Sequence, residues 1–196
     1  MSPDTDDLAL LGTGGRMRIR GQQEMKTPIF REATSVDVAA LARLHATTFN
    51  ETHSPILMNG PTYEVRAYQW RQAFESADGS WFCVVIEDPN GELIGFAKGQ
   101  PYSHRDHPEF TGELNKIYLL REYQRRGLGR LLLSHVAYRF LGRGISSMLL
   151  FGDAQNPSNL FYETMGAERL YAANGEFHGG YGWRDLRRLS LTGSPE

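Results

Sequence analysis

Tyr118-Leu119-Leu120-Arg121-Glu122-Tyr123-Gln124-Arg125-Arg126-Gly127-Leu128-Gly129-Arg130 joins an apolar strand end to a basic, glycine-bearing turn and then directly to an amphipathic helix. Such a junction gathers free backbone N–H groups and the positive end of a helix dipole at one point. A phosphate or pyrophosphate is the natural occupant of that point. The glycine spacing fits neither common nucleotide signature. A P-loop needs glycine, four residues, then Gly-Lys and Ser or Thr, and a dinucleotide fold needs Gly-x-Gly-x-x-Gly early in a βαβ unit. Here Gly127-Leu128-Gly129 is followed at the third-glycine place by Leu132.

Outward from this stretch, residues 113–120 read as the strand that feeds the turn. Before it stands a hairpin, with strands at 81–87 and 93–99 around the turn Asp88-Pro89-Asn90-Gly91. Residues 29–33 form a first short strand. Thr34 or Ser35 then caps a helix whose apolar set is Val36, Ala39, Ala40, Leu44 and Phe49. A polar loop spans 51–61, and a second helix spans 61–77 with Pro61 in its first turn. A further polar loop covers 102–111. After the turn, Leu128, Leu131, Leu132, His135, Val136, Ala137, Phe140 and Leu141 share one broad helical face, ended by Gly142 and Gly144. A strand at 145–151, a short helix at 157–165 closed by Gly166, and strands at 167–172 and 181–191 complete the chain. The order β-α-α-β-β-β-α-β-α-β-β implies an α+β fold. Its central sheet is mixed and mainly antiparallel, with one parallel pair and flanking helices.

With 196 residues, the chain suits one domain, expected at 27–192. Residues 1–26 read as a flexible tail and 193–196 as a short C-terminal one; Met17 and Met25 are alternative start positions to Met1. A formal net charge of -2 and a pI near 6.3 supply no basic field for nucleic acid. No apolar run approaches the ~20 residues that span a bilayer, and no secretory leader is recognisable, so a cytoplasmic protein is expected. Cys83 is the single cysteine and lies in an apolar strand, where it reads as core filler.

Gln124-Arg125-Arg126-Gly127-Leu128-Gly129 resembles the acyl-CoA-binding motif of the GNAT superfamily of N-acetyltransferases, Gln/Arg-x-x-Gly-x-Gly/Ala. Asn156-Pro157-Ser158-Asn159-Leu160-Phe161-Tyr162-Glu163-Thr164-Met165-Gly166-Ala167 is similar to that family's Asn-to-Tyr helix, and Tyr181-Gly182-Trp183-Arg184-Asp185-Leu186 to the last strand of many members. The resemblance implies an acetyl-CoA-dependent N-acetyltransferase whose sheet splays at the parallel pair. Backbone N–H groups of residues 125–130 would cradle the pyrophosphate, covering Arg125, Arg126, Gly127, Leu128, Gly129 and Arg130 next to Gln124. Gly127 and Gly129 would let the ligand approach, while Arg125, Arg126 and Arg130 add charge. Ile117, Tyr118 and Leu119 would pair with pantetheine through their backbones, and Asn156 through its amide.

Attack on a thioester requires a neutral amine and a stabilised oxyanion. An amine with pKa ~10.4 is neutral only about once in several thousand molecules at pH 7. Members that use a glutamate base carry it on the strand of Glu113, which makes Glu113 the implied base, acting directly or through water; a solvated strand-entry carboxylate is its plainer role. Alternation places Glu113, Asn115 and Ile117 on one face and Leu114, Lys116 and Tyr118 on the other. Tyr162 corresponds to the tyrosine that protonates the leaving thiolate; packing on an amphipathic helix is its plainer role. No covalent nucleophile is visible, so a direct ternary mechanism is expected.

His104, Asp106, His107 and Glu109 occupy an irregular loop without a metal-binding pattern, and no metal is expected. Glu51, Glu64, Asp106 and Glu109 could attract a cationic amine or simply be solvated. Among the aromatics, Tyr63, Tyr68, Trp70 and Phe74 read mainly as packing, with His53 and Glu51 as further candidates for the acceptor pocket. The acceptor is a small-molecule amine or a peptide or protein amine, with neither nucleic acid nor membrane as partner; a homodimer is compatible with the sequence. A competing reading is a non-catalytic acyl-CoA-binding or ligand-sensing module.

Overall fold

The computed structural model describes residues 27–53 and 60–190; the tails expected at 1–26 and 193–196, and the middle of the loop expected at 51–61, lie outside the described residues. β1 (Ile29–Glu32) leads through a 3-10 turn, Ser35–Asp37, into α1 (Val38–His53). The Asp37 carboxylate accepts the Thr34 N–H at 2.8 Å, satisfying a donor that a helix start leaves open. Next come α2 (Tyr63–Glu75), β2 (Phe82–Glu87), β3 (Leu93–Pro101) and β4 (Gly112–Leu119). A 3-10 turn at Arg121–Tyr123 precedes α3 (Leu128–Leu141), β5 (Met148–Phe151) and α4 (Asn159–Thr164). The described chain ends with β6 (Glu168–Tyr171), β7 (Phe177–Trp183) and α5 (Arg187–Ser190).

One seven-stranded sheet carries these strands in the order β1-β2-β3-β4-β5-β7-β6. Every neighbouring pair is antiparallel except β4 and β5. Both faces are covered, which is why β2 reads as an unbroken apolar run rather than an alternating one. Phe82, Val84 and Ile86 face α3, where Leu132, Leu133, Val136 and Phe140 are fully buried. Cys83 and Val85 face the opposite layer, where Leu41, Leu44 and Trp70 of α1 and α2 cover Phe96.

Several boundaries differ from the sequence reading, each for a physical reason. Val36 is 87% exposed because it sits in the 3-10 turn, out of phase with α1. Ala39 is exposed as well, and the buried stripe is Leu41, Ala42, Leu44, His45, Ala46 and Thr48. α1 continues through residues 51–53, and Thr62 caps α2, so Pro61 stands before the helix instead of in its first turn. The final strand runs at 177–183, not 181–191. Its glycines are strand residues because neighbours occupy the space of a side chain: a Cβ on Gly182 would run into the Phe110 ring. Beyond Trp183 the chain turns, with the Asp185 carboxylate accepting the Arg187 N–H at 3.0 Å, and Leu186, just before α5, and Leu189 within it pack against the core.

Candidate active site

β4 and β5 pair at only two positions, Gly112 with Met148 and Glu113 with Leu149. β5 then follows β7, while β4 stays on β3, so the parallel strands part beyond Glu113. The Leu120 N–H donates to the Ile94 carbonyl at 3.0 Å. Strand alternation therefore turns the Tyr118 backbone toward β3 and those of Ile117 and Leu119 toward the gap. Of the three residues expected to present backbone groups there, two do so; Tyr118 instead packs its ring against His45 and Phe96.

A register shift between Lys98 and Gly99 places a β-bulge at Asn115. It resets the alternation expected for β4. Leu114 and Ile117 both join the α3-side core, whereas Glu113, Lys116 and Tyr118 share the face under α1 and α2. The Glu113 carboxylate accepts the Gln100 amide at 2.8 Å and the Asn115 amide at 3.2 Å. The Lys116 ammonium donates to the Asn115 side-chain oxygen, Oδ1, at 2.7 Å. A possible base is thus held by two amides next to a cation. Neither Gln100 nor Asn115 stands out in the sequence, because only the pairing of β3 with β4 brings Gln100 alongside Glu113.

At the end of β4 the chain makes the turn that the sequence marks. Gln124 spends its amide on the Leu119 carbonyl at 3.0 Å, fixing the strand end, so its side chain is structural. Glu51 accepts the Arg121 N–H at 3.2 Å and, through its carbonyl, the Arg121 guanidinium at 2.8 Å. Arg125 has φ 63° and Gly127 has φ 82°, two left-handed residues that swing the following N–H groups to one side. The first helical bond of α3 runs from the Leu131 N–H to the Gly127 carbonyl, leaving the N–H groups of Leu128, Gly129 and Arg130 without helical partners. A Cβ on Gly127 would meet nothing within 4 Å, so its conformation is what selects glycine there. On Gly129 a Cβ would find only the Phe161 ring at 3.6 Å, an ordinary contact. Packing within the protein therefore gives no reason for that glycine, whereas close approach of a ligand does. Arg125, Arg126 and Arg130 are exposed and make no ion pair among the described residues. The Leu128 side chain is buried in the core, so only its backbone is available.

Phe161 ties α4 to this first turn of α3, and Tyr162 follows it. The Tyr162 ring is 8% exposed and lies 5.5 Å from the Tyr181 ring and 6.3 Å from Trp183. Its hydroxyl makes no hydrogen bond among the described residues. Burial, with Tyr118 and Tyr181 nearby, pushes its pKa well above the usual phenol range, so it remains a proton-bearing donor across ordinary pH. Asn156 accepts the Ser158 N–H at 2.8 Å through its side-chain oxygen, shaping the turn into α4. Its amide nitrogen has no partner among the described residues.

The loop candidates do not converge. His104 pairs with Asp106 at 3.1 Å, His107 lies 3.9 Å from Glu109, and Arg184 lies 3.7 Å from Glu109. Among the described residues no three His, Cys, Asp or Glu side chains meet as metal ligands. Glu64 is exposed at the start of α2, and the expected packing role holds for Trp70 and Phe74 but not for the exposed Tyr63 and Tyr68. The His53 side chain lies outside what the structure describes. Residues the sequence reading passed over do gather around Lys116: His45, Arg66 and Lys98 lie on its face of the sheet. The available signal was a charged or polar residue at a buried helical position, as at His45 and Arg66.

The profile of the acetyltransferase (GNAT) family matches residues 40–167. The uncharacterized N-acetyltransferase YuaI of Bacillus subtilis is 34% identical over 169 residues, covering 81% of this chain and 94% of that protein. The phosphinothricin N-acetyltransferase of Streptomyces viridochromogenes is 28% identical over 159 residues, covering 80% and 82%. Among solved structures, PaiA N-acetyltransferase of Thermoplasma acidophilum, in complex with coenzyme A, superposes with a TM-score of 0.60 at 17% identity over 80% of this chain and 98% of that one. Salmonella typhimurium yncA, solved with acetyl-CoA, gives 0.60 at 18% identity over 87% and 99%. With a profile match over most of its length and the strand gap and turn in place, this chain is an acyltransferase belonging to the acetyltransferase (GNAT) family.

Proposed function

We propose that the enzyme transfers the acetyl group of acetyl-CoA to the primary amine of a small molecule, by direct attack within a ternary complex. The observation that carries this reading is the gap between β4 and β5 running into the unpaired N–H groups of residues 128–130. Those groups, with Arg125, Arg126 and Arg130, suit a pyrophosphate without a metal. The Ile117 backbone and the Leu119 N–H, turned to the gap, suit the amide-bearing pantetheine arm, joined by the Asn156 amide. The structures solved with coenzyme A or acetyl-CoA support this choice of co-substrate.

Glu113 takes a proton from the acceptor ammonium, directly or through water. The neutral nitrogen attacks the thioester carbon, and a backbone N–H in the gap supports the oxyanion. The attacking nitrogen gives up its second proton to water, the C–S bond breaks, and Tyr162 donates a hydrogen bond or its proton to the departing sulfur. Because its phenol is held so firmly protonated, hydrogen bonding dominates that role, with solvent supplying the net proton. Cys83 is buried and its thiol is pushed far above its usual range, so it takes no part; we place the reaction in the cytoplasm, in keeping with a lone thiol. The test is thiol release from acetyl-CoA across a panel of amines. Amine-dependent release with one-to-one N-acetyl product is expected, and coenzyme A binding without release on any amine would leave only a binding module.

A further inference from the structure

The sheet face under α1 and α2 carries positive charge that the fold itself does not neutralise. Lys98 and Lys116 are direct cross-strand partners, an arrangement that ordinarily destabilises a sheet. Neither makes an ion pair among the described residues. Lys98 lies 4.9 Å above the Trp81 ring, and Lys116 reaches only the Asn115 oxygen. Arg66 joins them from α2. It is 8% exposed, donates once to Gln69 at 2.9 Å, and leaves its Nε buried without a partner. Two more buried ring nitrogens are unpartnered in the same layer, the donor Trp70 Nε1 and His45 Nδ1, on side chains 4% and 2% exposed. The Tyr118 hydroxyl also lacks a hydrogen bond among the described residues.

Buried charges are normally paired and buried donors normally satisfied. The one carboxylate whose field reaches both lysines is Glu113, and it already accepts two amides. Three cations against one carboxylate, in a chain with net charge -2, is a local excess that a bound anion would balance. Burial lowers the pKa values of Lys98 and Lys116, and the neighbouring Lys98 and Arg66 lower that of Lys116 further. The bonded series Lys116–Asn115–Glu113 places this charge beside the proposed base, so the anion and the reacting amine fit on one small molecule.

We propose that the acceptor is a small amine that also bears an oxyanion, a carboxylate or phosphonate-type group, held by Arg66, Lys98 and Lys116. This rests on the acetyl-transfer reading and narrows it.

The test is kcat/KM by thiol release for the common α-amino acids and 2-aminoethylphosphonate, each beside the amine that remains without its acid group (3-methylbutylamine for L-leucine). In parallel, calorimetry follows binding of the same acids to coenzyme A-loaded protein. At least one acid should exceed its acid-free counterpart by about tenfold or more, the scale of a charge-assisted contact. The carboxylate and phosphonate arms show which oxyanion is taken. Arg66→Gln and Lys116→Met should each erase most of the preference while leaving KM for acetyl-CoA unchanged. If Arg66→Gln does not fold, Lys116→Met, at a partly exposed position, decides. Equal or better use of the acid-free amines, or a preference that survives Lys116→Met, would overturn the proposal. If no amine turns over, the acetyl-transfer reading fails by itself and binding decides this one: an acid bound more weakly by Lys116→Met upholds it, and no bound acid overturns it.

Discussion

The turn at 124–130 and the cationic face around Lys116 are both built for negative charge, but in opposite ways. The turn is local, exposed and made largely of backbone: two left-handed residues and three unspent N–H groups within one short segment. The cationic face is assembled from side chains on α2, β3 and β4, beside the neutral His45 of α1, and it is partly or fully buried. A backbone site can serve a ligand shared by many relatives, because it depends on conformation and few side chains. A side-chain site can change its ligand by single substitutions. The comparison separates a cofactor end from an acceptor end, and each can be disturbed without the other.

The largest separable effect is expected at the junction of the two. Tyr162→Phe should lower kcat by about 100-fold, a typical scale for losing a positioned proton or hydrogen-bond donor, with KM for acetyl-CoA unchanged. An unaltered kcat in steady-state assays would make Tyr162 a packing residue. On the acceptor side, burial together with Arg66 and Lys116 holds the His45 pKa down to about 3. The unfolded chain takes up this proton below about pH 6.5 and the folded one does not, so stability is lost as pH falls from there toward about 3. Between pH 7 and pH 5 this amounts to about 2 kcal/mol, and His45→Phe should remove it from urea unfolding curves. Equal acid sensitivity in both proteins would show that His45 is not held neutral.

On the turn, Gly127→Ala should cost about 1–2 kcal/mol in the same curves, because φ is 82° there. A neutral effect would show that the left-handed conformation is not needed. The smallest change carries the opposite sign. Lys116→Met should raise stability by about 0.2–1 kcal/mol by relieving the cross-strand repulsion with Lys98. A loss of stability would make these cations structural and blur the contrast between the two sites.

That contrast also explains what could be read from sequence. Glycines at 127 and 129, the strand before them and the helix after them are neighbours in the chain, so the turn and the element order were legible. The turn at Asn156 and the short helix carrying Tyr162 were legible for the same reason. The Asn115 bulge was not, because it appears only when β4 is registered against β3, and it turned Lys116 and Glu113 to one face. Nor was the start of the final strand, where Gly179 and Gly180 signal a turn until Gly152 and Leu170 are seen filling the space beside them. Arg66 and Lys98 carry no mark in the sequence; tertiary packing alone brings them beside Lys116.

The most direct test of the division is calorimetric titration of acetyl-CoA into the wild-type enzyme and Gly129→Glu. A glutamate in the first turn of α3 suits the helix dipole, and its Cβ has room beside Phe161, so the variant should fold. It places a negative charge where the pyrophosphate is expected. Saturable binding to the wild type and none to a folded Gly129→Glu is the predicted result; equal affinity for the two proteins would contradict it.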